Sequence, residues 1–188
     1  MERIRFVIIT VPPPSVVQQI DRFRIPAADV SGSRIALAYP PHVTLRTGAL
    51  VPAAEVVDYV HGLRETLRDF TPFQISTTDL IASTYEESGE IRYFVGYGIE
   101  RSDELMALHD RLLTYSRFIK RKQPNFEPHL SIAYGDLSAE GQAAILHLME
   151  RNPSVAPSRL SWTCDNVGLY HRVGGEWVPY EVIQAVRV

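Results

Sequence analysis

Hydrophobic residues along the chain alternate between a strand pattern and a helical pattern. Runs rich in branched and aromatic residues predict strands, and apolar residues three or four positions apart predict helices. Strands are expected at residues 3–11, 73–82, 91–99, 128–134, 160–170 and 177–186, with a further strand after Pro41. Helices are expected at residues 15–24, 53–68, 102–118 and 138–151, while residues 24–39 carry neither pattern and are predicted to be irregular.

The order of these elements contains an approximate repeat. The strand after Pro41, the helix at 53–68 and the strands at 73–82 and 91–99 form one unit. The strand at 128–134, the helix at 138–151 and the last two strands form the other. This order predicts an α+β protein, in which residues 1–188 form a single domain with two similar lobes.

The first strand of each unit begins with nearly the same five residues. Residues 41–45 read Pro-His-Val-Thr-Leu, and residues 128–132 read Pro-His-Leu-Ser-Ile. Side chains alternate between the two faces of a strand, so His42 and Thr44 share one face, as do His129 and Ser131. Two such strands side by side would bring two imidazoles and two hydroxyls into one cleft.

This set of side chains is suited to phosphodiester hydrolysis. Histidine exchanges protons near neutral pH, so one neutral imidazole can activate water while an imidazolium protonates the leaving oxygen. Hydroxyls can donate hydrogen bonds to the anionic phosphate oxygens. A lone Pro-His-Val-Thr-Leu segment is more often structural; the second copy makes a site the better interpretation.

The two motifs, His-Val-Thr-Leu at 42–45 and His-Leu-Ser-Ile at 129–132, resemble those of the 2H phosphoesterase superfamily. That superfamily includes RNA 2',3'-cyclic phosphodiesterases, also called 2'-5' RNA ligases. The apolar N-terminal strand, the motif separation and the C-terminal strands also resemble the family. The second motif has Ser where many members have Thr, which keeps the donor.

The resemblance implies two pseudo-symmetric lobes of mainly antiparallel sheet, with outer helices, around a central cleft. It implies His42 and His129 as the catalytic acid–base pair and Thr44 and Ser131 as ligands of phosphate oxygens, without metal or cofactor. The expected substrate is an RNA end or a nucleotide with a cyclic phosphate. Arg46 would share the face of His42 and Thr44 if the strand continued that far, and could help to hold the anion.

Aromatic residues near the motifs are candidates for stacking on a nucleobase. Tyr39 precedes the first motif, and Phe126 and Tyr134 flank the second. Each could equally be core or cleft wall. The histidines at 61, 109 and 147 fall on predicted helices at spacings that suggest no metal site, so they are interpreted as surface or partly packed residues.

Net charge and composition limit the classes of partner and the compartment that are expected for this protein. The net charge of −3 argues against a large non-specific nucleic-acid surface. The basic run at residues 117–122 could guide an RNA end or could be a solvated helix terminus, and the second interpretation is slightly favoured. No apolar run is long enough to span a membrane, no signal peptide is expected, and the single cysteine, Cys164, fits a reducing compartment. We expect a cytoplasmic monomer without membrane partners.

Three alternatives remain open on the sequence. The same site could act on a linear 2'-5' oligonucleotide or on ADP-ribose cyclic phosphate. The protein could bind a nucleotide phosphate without turning it over. A histidine-based metal site is a weaker alternative, because only two strand histidines are placed to converge and zinc usually has three or four protein ligands.

Overall fold

The computed structural model describes residues 2–115 and 126–186, which form one eight-stranded sheet and four α-helices. The strands are β1 (Arg3–Thr10), β2 (Val43–Pro52), β3 (Phe73–Glu87), β4 (Glu90–Ile99), β5 (His129–Tyr134), β6 (Ser161–Cys164), β7 (Asn166–Val173) and β8 (Glu176–Gln184). The helices are α1 (Pro14–Ser31), α2 (Val56–Thr66), α3 (Asp103–Thr114) and α4 (Ala139–Arg151). Short 3₁₀ helices cover Ile35–Ala38 and Ala53–Glu55.

The sheet is antiparallel at every junction and divides into two halves. The strand order is β6-β3-β4-β5-β2-β1-β7-β8, so the two motif strands, β5 and β2, meet in the middle. Their register contains a single paired position among the described residues, Val43 with Leu130. The predicted α+β class with two halves of antiparallel strand around the motif strands is confirmed.

The two faces of the central strands differ in burial. Val43, Leu45, Leu130 and Ile132 are almost fully buried and pack with the helices in one hydrophobic core. On the opposite face, Thr44 of β2 and His129 and Ser131 of β5 line a cleft together with His42, which directly precedes β2. The apolar positions of the two motifs therefore anchor the strands, and the polar positions remain available to a ligand.

Helices α3 and α4 begin within one residue of the predicted starts at residues 102 and 138, and each follows a capping serine. The Ser102 hydroxyl accepts a hydrogen bond from the Leu105 amide at the start of α3, and the Ser138 hydroxyl accepts one from the Gly141 amide at the start of α4. The irregular segment predicted at residues 24–39 is wrong in its first part. Helix α1 continues through Pro26 to Ser31, because Ala27 and Ala28 keep its apolar face buried, and it ends at Gly32 with φ 73°.

The repeated units of the sequence do not form separate halves of the sheet. The hairpin of the first unit, β3–β4, pairs with β5, the motif strand of the second. The C-terminal hairpin, β7–β8, lies beside β1 on the side of β2. The strand predicted at 160–170 breaks at Asp165 into β6 and β7. These two strands join opposite halves of the sheet, because β6 pairs with β3 and β7 pairs with β1.

The basic run at 117–122 lies outside the described residues. Among the described helices, none is long and apolar enough to cross a membrane.

Candidate active site

The four polar side chains of the two motifs line one open cleft. Its free volume is about 1260 Å³, including the part open to solvent, and its walls include His42, Thr44, His129 and Ser131. The antiparallel pair Val43–Leu130 sets their arrangement, because it places His42 across from Ser131 and Thr44 across from His129. Each imidazole therefore lies opposite the hydroxyl of the other strand.

Both histidines are oriented by the same local contact. The Nδ1 atom of His42 donates to the Pro40 carbonyl at 2.8 Å, and that of His129 donates to the Glu127 carbonyl at 2.9 Å. In each motif the acceptor is the second residue before the histidine, ahead of the motif proline. Because Nδ1 carries the proton in this arrangement, Nε2 is the atom of each ring that remains to exchange a proton with a ligand.

The surroundings of the two histidines differ. His42 is partly buried, whereas His129 is exposed. Burial lowers the pKa of His42; the bond to the Pro40 carbonyl opposes this, and the positive charges of His129 and Arg24 add to it. The neutral form of His42 is therefore favoured near neutral pH, which suits a group that accepts a proton.

An aromatic pocket opens from the cleft beside His42. We define it by Tyr39, Tyr134, Tyr170 and Trp177, which line it together with Val7, Ile9 and the first motif. Tyr39 is central, with its ring 6.3 Å from those of Tyr134 and Trp177 and 6.1 Å from His42. Two of the sequence candidates for base stacking, Tyr39 and Tyr134, are therefore brought together here.

Sequence reasoning missed the other two residues of the aromatic pocket. Tyr170 and Trp177 come from the C-terminal hairpin, far along the chain from either motif. Their strands reach the cleft only because β7 pairs with β1, next to β2. Tyr170 and His171 are neighbours on β7, so their side chains point to opposite faces of the sheet. His171 stacks on Phe6, and Tyr170 faces the aromatic pocket; this alternation was a weak local signal for the position of Tyr170.

The opposite wall of the cleft comes from the β3–β4 hairpin. Strand β3 continues five residues beyond the predicted end at Ala82, and Ser83, Thr84 and Tyr85 of this extension line the cleft. Phe94 of β4 meets the His129 ring edge to face, with 5.1 Å between centroids. The hydrophobic pattern does not predict so long a strand, because the outer residues of β3 are mostly polar and exposed.

The expectation that Arg46 faces the cleft is wrong. Ile9 pairs with Thr44, but the next β1 residue, Ile8, pairs with Arg46, so Leu45 is an extra residue in β2. This bulge breaks the alternation and turns Arg46 to the core face shared by Ile8. Its side chain is 3% exposed and interacts with Tyr59 on α2.

Phe126 also lies away from the cleft. Its ring stacks on His109 of α3, with centroids 3.7 Å apart and planes at 1°. Both residues are buried, at 7% and 1% exposure, so the expectation of a surface or partly packed His109 is wrong as well. The helical spacing of His109 with Leu105 and Leu112 was the available signal, because it places the ring on the buried face of α3.

The residues that line the cleft include two imidazoles, several hydroxyls and one carboxylate, that of Glu127. No group of three or more His, Cys, Asp or Glu side chains that could hold a metal occurs within residues 2–115 and 126–186. The arrangement can bind an oxyanion between the hydroxyls and exchange protons with it at two Nε2 atoms.

Comparisons with known proteins bear on the family and the fold of this chain. A protein of Bacillus licheniformis that is named as a phosphoesterase is 27% identical over 144 residues, covering 76% of this chain and 78% of its own. The crystal structure of Escherichia coli LigT complexed with 3'-AMP superposes with a TM-score of 0.67 at 17% identity, over 99% of this chain and all of LigT. A Thermus thermophilus protein gives 0.65 at 14% identity, over 96% of this chain and 97% of its own.

The structural matches show that the fold is shared over essentially the whole length of both chains. The family profile covers the chain from just after β1 to the start of β8 and includes both motif strands. The match to this family profile and the similarity to the Bacillus licheniformis protein indicate an enzyme of the phosphoesterase class. With residues 12–176 matching the profile, the chain belongs to the 2'-5' RNA ligase superfamily.

Proposed function

We propose that this protein is a metal-independent phosphoesterase that hydrolyses a 2',3'-cyclic phosphate at an RNA end or on a small nucleotide, leaving a 2'-phosphate. The observation that carries the proposal is the crossed arrangement of His42 opposite Ser131 and Thr44 opposite His129 in one cleft. Diagonal neighbours on one face of an antiparallel pair lie about 7–8 Å apart, which leaves room for a phosphoryl group between the imidazoles.

The proposed reaction is an in-line displacement at phosphorus. Nε2 of one histidine takes a proton from water as the water oxygen bonds to phosphorus. The bond from phosphorus to the ribose 3' oxygen breaks, and Nε2–H of the other histidine protonates that oxygen. Thr44 and Ser131 donate to the non-bridging oxygens, where charge increases in the transition state.

The difference in burial supports a division of roles. His42 has a lowered pKa and is neutral near pH 7, so we assign it as the base that activates water. His129, exposed at the opposite diagonal position, is then the proton donor. After turnover His42 holds the proton that His129 has lost, and exchange with solvent restores the starting state.

The aromatic pocket supports a nucleotide as the substrate. Its rings adjoin His42, so a base attached to the reacting ribose could stack on Tyr39 or Trp177 while the phosphate lies between the motifs. The related fold of LigT has been crystallised with 3'-AMP, ATP and NADP+. We propose that this chain also binds nucleotides.

A substrate panel in the presence of a chelator tests the proposal. The panel contains 2',3'-cyclic nucleotides, RNA ending in a cyclic phosphate, a linear 2'-5' dinucleotide and ADP-ribose cyclic phosphate. We expect turnover of the cyclic nucleotides to continue with the chelator and to yield the 2'-phosphate.

Other outcomes of the panel would contradict the proposal in distinguishable ways. Preferred turnover of another substrate would change the substrate class. Loss of activity on chelation, with recovery on adding a metal, would overturn the metal-independent reaction. Tight binding measured by calorimetry, with no product after hours, would indicate a binding protein.

A further inference from the structure

We propose that His109 is a positioning residue that holds the two motif strands in register from behind the cleft. This proposal rests on the function proposed above, which gives roles to the side chains that His109 would position. The contacts of His109 supply the means of positioning. His109 lies on α3, on the core face of the sheet, and is 1% exposed. It lines neither the cleft nor the aromatic pocket.

One contact of His109 reaches the first motif. Its Nδ1 atom donates to the carbonyl of Leu45 at 2.8 Å. Leu45 directly follows Thr44 and is the extra residue of the bulge, so the described registers of β1 and β5 give it no opposite residue. The bond therefore anchors the backbone at the point where the ladder is interrupted, next to a proposed phosphate ligand.

The other contact reaches the second motif. The His109 ring stacks on Phe126, face to face, with centroids 3.7 Å apart. Phe126 immediately precedes Glu127, whose carbonyl accepts the hydrogen bond from Nδ1 of His129. A shift of Phe126 would move that carbonyl, and the His129 ring would turn with it.

The seam between the motif strands gives this connection its importance. β2 and β5 share one paired position among the described residues, so backbone pairing alone restrains their relative position weakly. His109 adds a second connection, from Leu45 on one strand to the segment that leads into the other. Small displacements of catalytic groups reduce rates strongly, by as much as about a hundredfold for 1 Å.

The choice of histidine at this position argues for a specific role. The Nε2 atom of His109 is buried without a hydrogen-bond partner among the described residues. An apolar side chain would fill the same space without leaving a buried polar atom unpaired, which is unfavourable. The bond to Leu45 and the planar stack on Phe126 account for a residue that packing alone would disfavour.

Four variants separate positioning from stability. His109→Phe keeps a ring to stack on Phe126 and removes the donor; His109→Asn keeps a donor near the Nδ1 position and removes the ring. Phe126→Leu removes the stack and leaves His109 in place. Leu112→Ala is the matched control, since Leu112 is fully buried on the same helix and lines neither the cleft nor the aromatic pocket.

The measurements are kcat and KM on 2',3'-cyclic nucleotides, below the melting temperature of every variant, and the ¹⁵N spectrum of the histidine rings. We expect His109→Phe and Phe126→Leu to lower kcat roughly tenfold with KM within about twofold. We expect His109→Asn to recover part of the loss of His109→Phe, and Leu112→Ala to keep kcat within about twofold of the wild type while melting earlier.

The spectra test the proposal independently of turnover. We expect Phe126→Leu to shift the Nδ1 resonance of His129 and Leu112→Ala to leave it unchanged. If no substrate in the panel is turned over, the proposed function fails and the spectra still decide the positioning role. Unchanged kcat and unchanged His129 resonances in both His109→Phe and Phe126→Leu would overturn the proposal, as would equal effects of Leu112→Ala.

Discussion

The two motif strands carry the same chemistry in different surroundings. In both, Nδ1 of the histidine donates to the carbonyl two residues earlier, at 2.8 Å for His42 and 2.9 Å for His129. His42 then lies partly buried beside the aromatic pocket, whereas His129 is exposed and meets Phe94 of the β3–β4 hairpin. The repeated five residues set the orientation of each ring, and the neighbouring strands make the two rings unequal.

The largest loss of turnover is expected when either motif histidine is replaced. We expect His42→Ala and His129→Ala each to lower turnover of 2',3'-cyclic nucleotides by about 10²–10⁴-fold, the range for loss of a general acid or base. Circular dichroism should show both variants folded, because neither ring lies in the core. His147→Ala, at an exposed position on α4, is the control. Wild-type turnover by the double variant would eliminate the two-histidine mechanism.

A smaller loss is expected when the hydroxyls are removed. A hydrogen bond to a charged group contributes about 1.5–3 kcal/mol, so Thr44→Val and Ser131→Ala should each lower kcat about 10–100-fold. Thr44→Ser and Ser131→Thr keep the donor and should stay within about threefold. Equal kinetics for Thr44→Val and Thr44→Ser would show that the hydroxyl does not contact the reacting phosphate.

The role of the aromatic pocket beside His42 is tested by measuring KM. Base–aromatic stacking contributes ~1–3 kcal/mol per base, and for an open pocket we expect Trp177→Ala to raise KM for cyclic nucleotides about fivefold to tenfold. Tyr85→Ala, on the hairpin wall, is the matched variant at the other end of the cleft. A larger effect of Tyr85→Ala than of Trp177→Ala would place the base against the hairpin instead.

The smallest expected effect is a shift in titration. Because burial and then the charges of His129 and Arg24 lower the pKa of His42, its imidazole should titrate below its ordinary value of 6.5. Activity that needs neutral His42 should therefore persist below that pH and fall as His42 gains its proton. Replacing His129 by Gln removes a positive neighbour, so the pKa of His42 should rise, as followed by NMR. A fall on this replacement would contradict the assigned coupling.

The polar centre of the site was predictable because it depends on local rules. Alternation along a strand places His42 with Thr44 and His129 with Ser131, and two copies of one pattern suggested that the strands meet. The starts of α3 and α4 near residues 102 and 138 were also predicted from the local sequence, and in the structure a serine caps each helix. The structure brings these local units together in the cleft.

The periphery of the site depends on contacts between distant residues. One bulge turns Arg46 to the core, which strict alternation does not anticipate. Phe126 was a candidate for stacking on a nucleobase because it lies close to His129 in sequence. In the structure its ring stacks on His109 instead. Tyr170 and Trp177 enter the cleft through the pairing of β7 with β1, for which the sequence near the motifs carries no sign.

The exchange of hairpins between the two units has a consequence for dividing the chain. Cutting between α3 and β5 would leave the β3–β4 hairpin in one fragment and β5, the motif strand with which β4 pairs, in the other. Neither fragment would hold a complete half-sheet, so we expect neither to fold as a small protein with a single motif. Mixed together, the fragments should associate through the same strand pairings, and recovered activity would require both in a one-to-one complex.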